Sequence, residues 1–497
     1  LDTLRLLSPE IIITIIAFAI ISLDMAWNDE RRSARLLPWL AIGGAIFTLL
    51  TIFYVWPHAA QYHYTAATDA ARQVPMLAVD PLALFFKMLG VLTVILVMLS
   101  AGEYMAKRSP FRGEFYGLLL LTTLSMMLLV GATNLIMVYL ALEFLSISSY
   151  ILTGYFRRDH RSIEASLKYF LYGALASGVM LYGFSLLYGA TGSVDLGAIA
   201  TGLGSGHTAL VVAAAILMLA GFGFKIALVP FHQWSPDVYE GAPTPFTAFL
   251  SVGSKAAGFA VLIRVMVVAL PAYSLNWTAI LSIVAMVTMT VGNLVALWQP
   301  NMKRMLAYSS IAQAGYMLVG LAAWTAVPPS NTFFLGGIDA IMLFLLAYLF
   351  TNLGVFAIVI IMENQTGTAN ISEYAGLIRR SPLLSVALLV FFLSLIGIPP
   401  TGGFIGKLFV FGAAVNQGLY VLAAFGVFNS VISVYYYFGV VRQVFFDANP
   451  DESPIRVNLA MRTVVILTLA MTLIIAFYGQ PFIQLASDSA HILAATF

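Results

Sequence analysis

Residues 221–234 read GFGFKIALVPFHQW, and residues 391–411 read FFLSLIGIPPTGGFIGKLFVF. Each places a lysine, Lys225 or Lys407, beside prolines inside a long apolar run. Proline lacks a backbone N–H and its ring clashes with the preceding turn, so a helix kinks or breaks there. The enclosing runs, 208–234 and 383–413, are longer than the roughly 20 residues that cross a bilayer as one straight helix. In lipid a broken helix persists only where protein or enclosed water satisfies the freed backbone groups. Both stretches therefore predict interrupted transmembrane helices with an ammonium group at the break.

The rest of the chain agrees with a membrane setting. Of its 497 residues, 61% are hydrophobic and 9% charged, whereas soluble domains carry about 25% charged residues. Cysteine is absent, which excludes disulfides, thiolate metal sites and cysteine-ligated iron–sulfur clusters. No cleavable signal pattern follows the first apolar run, where Arg31, Arg32 and Arg35 stand instead of small residues. The chain begins at Leu1, so a start upstream of it is expected. Fourteen apolar segments are predicted: 6–27, 36–57, 79–101, 114–131, 133–156, 162–190, 208–234, 245–270, 277–298, 303–323, 333–362, 383–413, 418–446 and 459–480. The expected fold is an all-α polytopic membrane protein, with one membrane domain and no extramembrane domain.

Basic residues fix the orientation. Sixteen lie in or beside loops after odd-numbered segments, including Arg157, Arg158, Arg161, Lys303, Arg304, Arg379 and Arg380, against only Arg5 and Arg72 on the other side. By the positive-inside rule the odd loops are cytoplasmic and both termini are periplasmic. Broken segments seven and twelve then run in opposite directions. That predicts two inverted five-helix repeats, segments 4–8 (114–270) and 9–13 (277–446), after N-terminal helices in 1–113 and before a final helix at 459–480.

Six basic residues remain inside apolar segments: Lys87, Lys168, Lys225, Lys255, Arg264 and Lys407. Each such charge costs about 2.5–3.5 kcal/mol on insertion scales, which makes it a functional candidate. Lys87 and Arg264 lie near segment ends and are expected to snorkel to the headgroups. Glu143, in NLIMVYLALEFLSISSY (134–150), is a mid-segment acid with too short a stem for that, and a buried ion pair with a lysine is expected. Its alternative is a protonated acid in a helix interface. Lys255 stands among small residues in SVGSKAAGF, where a neighbouring helix can approach. Ser309, Gln313 and Tyr316 share one helical face. The expected mid-membrane row is thus Glu143, Lys168, Lys225, Lys255, Gln313 and Lys407, with His232 beside the first break.

Desolvation disfavours a charged lysine and a nearby carboxylate favours it, so altering their separation loads or unloads a proton. Moving one charge through 100 mV requires about 2.3 kcal/mol, comparable to a pKa change of about two units. The row reads as proton-translocating machinery.

Four stretches carry a resemblance: LKYFLYGALASG (167–178), GFKIALVPFHQWSPDVYEGAPTP (223–245), KRMLAYSSIAQAGY (303–316) and GIPPTGGFIGKLFVF (397–411). They closely resemble chain N of bacterial NADH–quinone oxidoreductase, respiratory complex I, over nearly the whole chain. The resemblance implies a fourteen-helix antiporter-like subunit that translocates protons as part of a translocase. It implies Glu143 and Lys225 as the modulating pair, Lys168 and Lys255 as relays, His232 as the family histidine and Lys407 as the exit-side lysine. It also implies no cofactor in this chain, with NADH, FMN, iron–sulfur clusters and quinone in partner subunits. Expected partners are membrane subunits on both sides, the hydrophilic redox arm indirectly, and lipids, but no nucleic acid. Many relatives have histidine where this chain has Gln313; glutamine cannot titrate, so a water-bridging role is expected there.

The ferredoxin-dependent photosynthetic-type complex has a similar subunit, often with that glutamine, in a thylakoid membrane instead of a bacterial inner membrane. A multi-chain sodium/proton antiporter is a second alternative, opposed by SVGSKAAG where those relatives carry histidine in segment eight. A passive scaffold would gain nothing from the insertion cost of the buried charges. A free-standing enzyme is opposed by the absence of any nucleotide-binding glycine motif or metal-ligand cluster.

Overall fold

The computed structural model describes residues 2–26, 30–59, 76–109, 111–203, 208–324, 335–449 and 453–490. Arg72 lies outside them, as do the side chains of Arg31, Arg32 and Arg35. The principal helices are α1 (Ser8–Ala26), α2 (Glu30–Ala59), α3 (Pro81–Arg108), α4 (Arg112–Gly131), α5 (Leu135–Thr153) and α6 (His160–Thr191). There follow α7 (Thr208–Ile226), α8 (Trp234–Gly241), α9 (Thr244–Ala269), α10 (Ser274–Ala296), α11 (Met302–Ala322) and α12 (Gly337–Thr366). The chain ends with α13 (Pro382–Ile396), α14 (Gly402–Asn416), α15 (Tyr420–Phe446), α16 (Leu459–Phe477) and α17 (Gln480–Ala490).

Among the described residues, 13 helices are long and apolar enough to cross a membrane. The place of the expected twelfth segment is taken by α13 and α14, two apolar helices of 15 residues each. The break is the reason: Pro399 and Pro400 cannot continue a helix. The expected seventh segment ends early for the same reason, at Ile226, and resumes as α8 on the far side of Pro230. Helix α17 had no counterpart in the apolar pattern, because its sequence QPFIQLASDSA is amphipathic and not uniformly apolar.

Helices α9, α11 and α12 form the centre, with 94%, 94% and 100% of their most apolar windows buried, whereas α1 buries only 28%. Rim helices expose large apolar side chains, such as Leu171 and Leu175 on α6 and Phe428 and Tyr435 on α15. Close packing at the centre depends on small residues. A Cβ on Gly292 of α10 would stand 2.6 Å from the Ala312 backbone nitrogen of α11, and one on Gly315 would stand 2.8 Å from that of Met289.

One backbone junction occurs twice. Leu135 N–H donates to Val194 O (2.8 Å) and Leu196 N–H to Thr133 O (3.1 Å), beside Asn134, the N-cap of α5. Met302 N–H donates to Ala369 O (2.8 Å) and Ile371 N–H to Pro300 O (2.9 Å), beside Asn301, the N-cap of α11. The second junction borders a cavity of about 1240 Å³ whose lining includes Arg108, Arg158, Asn301 and Asn370. Segments of loops after α3, α5, α8, α10 and α12 line it, and basic residues in or beside three of the alternating loops meet there: Arg108; Arg157, Arg158 and Arg161; and Lys303 and Arg304. The first junction adjoins Leu77 and Ala132, which pair with each other at a different loop cluster.

Candidate functional site

Both breaks have the same backbone form. At the end of α7, Leu228 N–H donates to Gly223 O (2.7 Å) and Ala227 N–H to Phe224 O (3.1 Å), with Ala227 left-handed at φ 60°. At the end of α13, Ile398 N–H donates to Leu393 O (2.9 Å) and Gly397 N–H to Ser394 O (3.1 Å), with Gly397 at φ 91°. This paired closure is how helices stop when one residue can turn left-handed.

The break explains the position of Lys407. Pro399 and Pro400 stand four residues after Leu395 and Ile396, so those two carbonyls have no helical N–H to accept from. Lys407 Nζ donates to both, at 2.9 Å each, and to Ser430 Oγ at 3.2 Å. It also lies 4.1 Å from the centre of the Tyr316 ring, a cation–π contact. Gln313 Nε2 donates to the same Leu395 carbonyl at 2.9 Å, while its Oε1 is buried without a partner. Sequence, break and side chain form one unit.

Lys225, on the last turn of α7, donates to Ser146 Oγ on α5 at 3.3 Å. Glu143 stands one turn before Ser146, within electrostatic reach of Lys225, but the two groups make no contact within 4 Å. Glu143 is half-buried, and its Oε1 has no hydrogen-bond partner. It belongs to a stripe with the exposed Ile136, Leu140, Ile147 and Ile151, so the carboxylate lies along a lateral face of the bundle. Lys255 follows a π-helical stretch, Leu250–Ser254, whose wider turn re-aims the helix. Its Nζ donates to Ser310 O at 2.5 Å, and Ser310 Oγ lies 3.2 Å from Tyr239 OH. His232 is half-buried in the first break, with Nδ1 unpartnered.

Lys168 lies apart from this interior. Its side chain is 39% exposed and pairs with Asp237 of α8 and Glu164, both at 2.7 Å. Arg304 joins the same cluster, 2.6 Å from Asp237 and 3.1 Å from Glu240. Burial alone would raise the Asp237 pKa, but Lys168 and Arg304 outweigh it and hold the carboxyl below its ordinary range.

The two expected snorkelling cations do not snorkel. Lys87 is 2% exposed and pairs with Glu10 of α1 at 2.5 Å. Arg264 donates to both oxygens of Asp80, at 2.8 and 2.9 Å, and through Nε to Val130 O at 3.2 Å. A carboxylate inside the bundle is a nearer partner than any headgroup, and two parallel bonds suit the guanidinium fork. Sequence reasoning also missed Asn293, Asn429 and Tyr436. Asn293 donates to Tyr316 OH (2.9 Å) and Asn429 Oδ1 (3.3 Å) and accepts from Tyr436 (3.0 Å), extending the polar region beyond Lys407. The side-chain amides of Asn293 and Asn429 inside apolar segments were the available signal. Ser309 contacts Tyr437, so the predicted face of Ser309, Gln313 and Tyr316 is a buried hydrogen-bonding surface.

Two like breaks and three buried lysines, Lys225, Lys255 and Lys407, stand in one bundle, and its family match makes that bundle a membrane subunit of the antiporter type. The sequence pattern of the NADH:quinone oxidoreductase/Mrp antiporter transmembrane family matches residues 132–433, and the chain belongs to that family. Its relatives point to the subunit N branch. It is 43% identical to NADH-quinone oxidoreductase subunit N 2 of Symbiobacterium thermophilum, over 98% of this chain and 96% of that one. It is 41% identical to NAD(P)H-quinone oxidoreductase subunit 2 of Rippkaea orientalis, over 97% of this chain and 92% of that one. A chain of respiratory complex I from Thermus thermophilus with bound aureothin superposes with a TM-score of 0.76 at 34% identity, covering 94% of this chain and 98% of that one.

Proposed function

We propose that this chain translocates protons as an antiporter-like membrane subunit of an NADH:quinone oxidoreductase, driven by quinone reduction elsewhere in the complex. The carrying observation is the burial of Lys225, Lys255 and Lys407, each at most 4% exposed and held by neutral oxygens alone. Among the described residues no carboxylate lies within 4 Å of any of them. An ammonium so placed depends on dipoles in place of a counter-charge, so a modest movement of a carboxylate alters whether it keeps its proton. Glu143 is the movable charge for Lys225, and its place on a lateral face suits control by a neighbouring membrane subunit. Lys255 and Gln313 pass the proton onward, the latter through water at its free Oε1, and Lys407 releases it at the second break. Lys168 and His232 serve the input side around α8.

Two inverted repeats, 114–270 and 277–446, account for the duplicated junction and the duplicated break. Both termini are periplasmic in a bacterial inner membrane, and FMN, iron–sulfur clusters, NADH and quinone belong to partner subunits. Purification in mild detergent tests the assignment through the chains that accompany it. Flavin- and iron–sulfur-containing partners are expected; partners confined to the membrane would favour the sodium/proton antiporter, and a ferredoxin-docking complex would favour the photosynthetic type. Single cysteines introduced at 157–161 should resist impermeant reagents applied from the periplasmic side.

A further inference from the structure

The basic end of the bundle holds a carboxylate that the lysine axis does not use. Glu363, on the last turn of α12, lines the 1240 Å³ cavity while its side chain is only 14% exposed. Tyr104 OH donates to its Oε1 at 3.0 Å, and Thr244 Oγ1 donates to its Oε2. Thr244 is also 3.5 Å from Tyr104 OH, so carboxylate and hydroxyls form a closed triad joining α3, α9 and α12. Arg108 reaches the triad from α3, with Nη2 3.9 Å from Oε1 and donating to the Glu363 backbone carbonyl at 3.1 Å. Lys303 of α11 and Tyr374 lie within electrostatic reach, and the Tyr374 hydroxyl is buried with no partner.

We propose that Glu363 is the proton-collecting carboxylate of this chain, taking protons from the water of the basic cavity and passing them through Thr244 towards Lys255. The inference rests on the proton-translocation reading above. A carboxylate that is open to water on one side and bonded to hydroxyls on the other is what proton collection needs, because it can take a proton from water and hand it to a hydroxyl. A proton from cavity water binds the carboxylate, and the acid donates it to the Thr244 oxygen. The threonine gives its own hydroxyl proton to a water molecule on the Lys255 side, so the step balances with water as the only co-reactant. The cavity lining carries Glu114, Asp159, Glu240 and Glu363 among its basic residues, and Glu363 is the one bonded to hydroxyls from two neighbouring helices. Of those hydroxyl residues, Thr244 opens the helix that carries Lys255.

The test is proton pumping by the whole complex in proteoliposomes, measured from mildly acidic to alkaline pH. Glu363→Gln keeps size and one acceptor, and should lose about ten-fold or more at the alkaline end with a smaller loss at the acidic end. Glu363→Asp should recover most of the rate, and added formate should partly restore the glutamine variant. Wild-type pumping across the range would overturn the proposal. So would a loss that is independent of pH and unmoved by formate, since that is what a structural tie among three helices gives. Lys407→Ala, measured in parallel, separates the two claims: normal pumping in it would overturn the proton-translocation reading itself.

Discussion

Lys225 hydrogen-bonds Ser146 at 3.3 Å, one helical turn along α5 from Glu143, whose Oε1 has no partner. A hydroxyl thus stands where a carboxylate would complete an ion pair. If Glu143 controls the proton on Lys225, Glu143→Gln and Lys225→Ala should each slow pumping and quinone reduction, and the double variant should be little worse than either. A double-mutant cycle should give a coupling of about 1–2 kcal/mol. Ser146→Ala should produce a smaller defect in the same direction. Defects that simply multiply would show that the two residues act independently.

Lys407 is tied to the two carbonyls that Pro399 and Pro400 leave without helical partners. Lys407→Arg can keep those bonds and the charge, but guanidinium stays protonated at any accessible pH. Both Lys407→Arg and Lys407→Ala should therefore impair pumping in proteoliposomes, while blue-native gels show assembled complex. Full pumping by the arginine variant would mean that this lysine never releases its proton.

The two breaks should respond oppositely to one methyl group. Ala227 is left-handed, which strains an L-residue by about 1 kcal/mol that glycine avoids. Gly397 is also left-handed, and a Cβ there would come within 2.9 Å of Lys407 Cδ. Ala227→Gly should leave the melting temperature in detergent unchanged or raise it. Gly397→Ala should lower it and displace Lys407, reducing pumping as well. Equal destabilisation by both changes would contradict the shared geometry.

Much of this was legible in the sequence because helix breaks and isolated charges in lipid have few physical interpretations. IPPTGG announced a break, and the prolines even specify which carbonyls Lys407 receives. Tertiary partners were not legible in this way. Asp80 and Arg264 are 184 positions apart, so no periodicity could join them, and the insertion cost alone suggested snorkelling. Glu363 was hidden by its place at a helix end, where an acid is ordinarily solvated. Lys168 looked interior because apolar residues surround it in sequence, yet it faces the side of α6 that pairs with Asp237.

The Asp80–Arg264 pair gives a stability prediction with a definite sign. Burial alone would raise the Asp80 pKa, but Arg264 with its two hydrogen bonds outweighs this, aided by the Ala83 N–H, and the carboxyl titrates below its ordinary value. A carboxyl depressed in the folded state contributes stability that is complete above its unfolded pKa of about 3.9 and is lost as pH falls through the folded value. Asp80→Asn still caps α3, since asparagine is as good an N-cap as aspartate. It leaves the buried guanidinium without its counter-charge, which should cost about 3–5 kcal/mol at neutral pH. The gap in thermal stability between wild type and variant should stay constant above about pH 5 and narrow below about pH 4. Melting curves of the detergent-solubilised complex across that range would check it. A gap that persists unchanged into acid would mean that Arg264 is compensated by something other than the Asp80 charge.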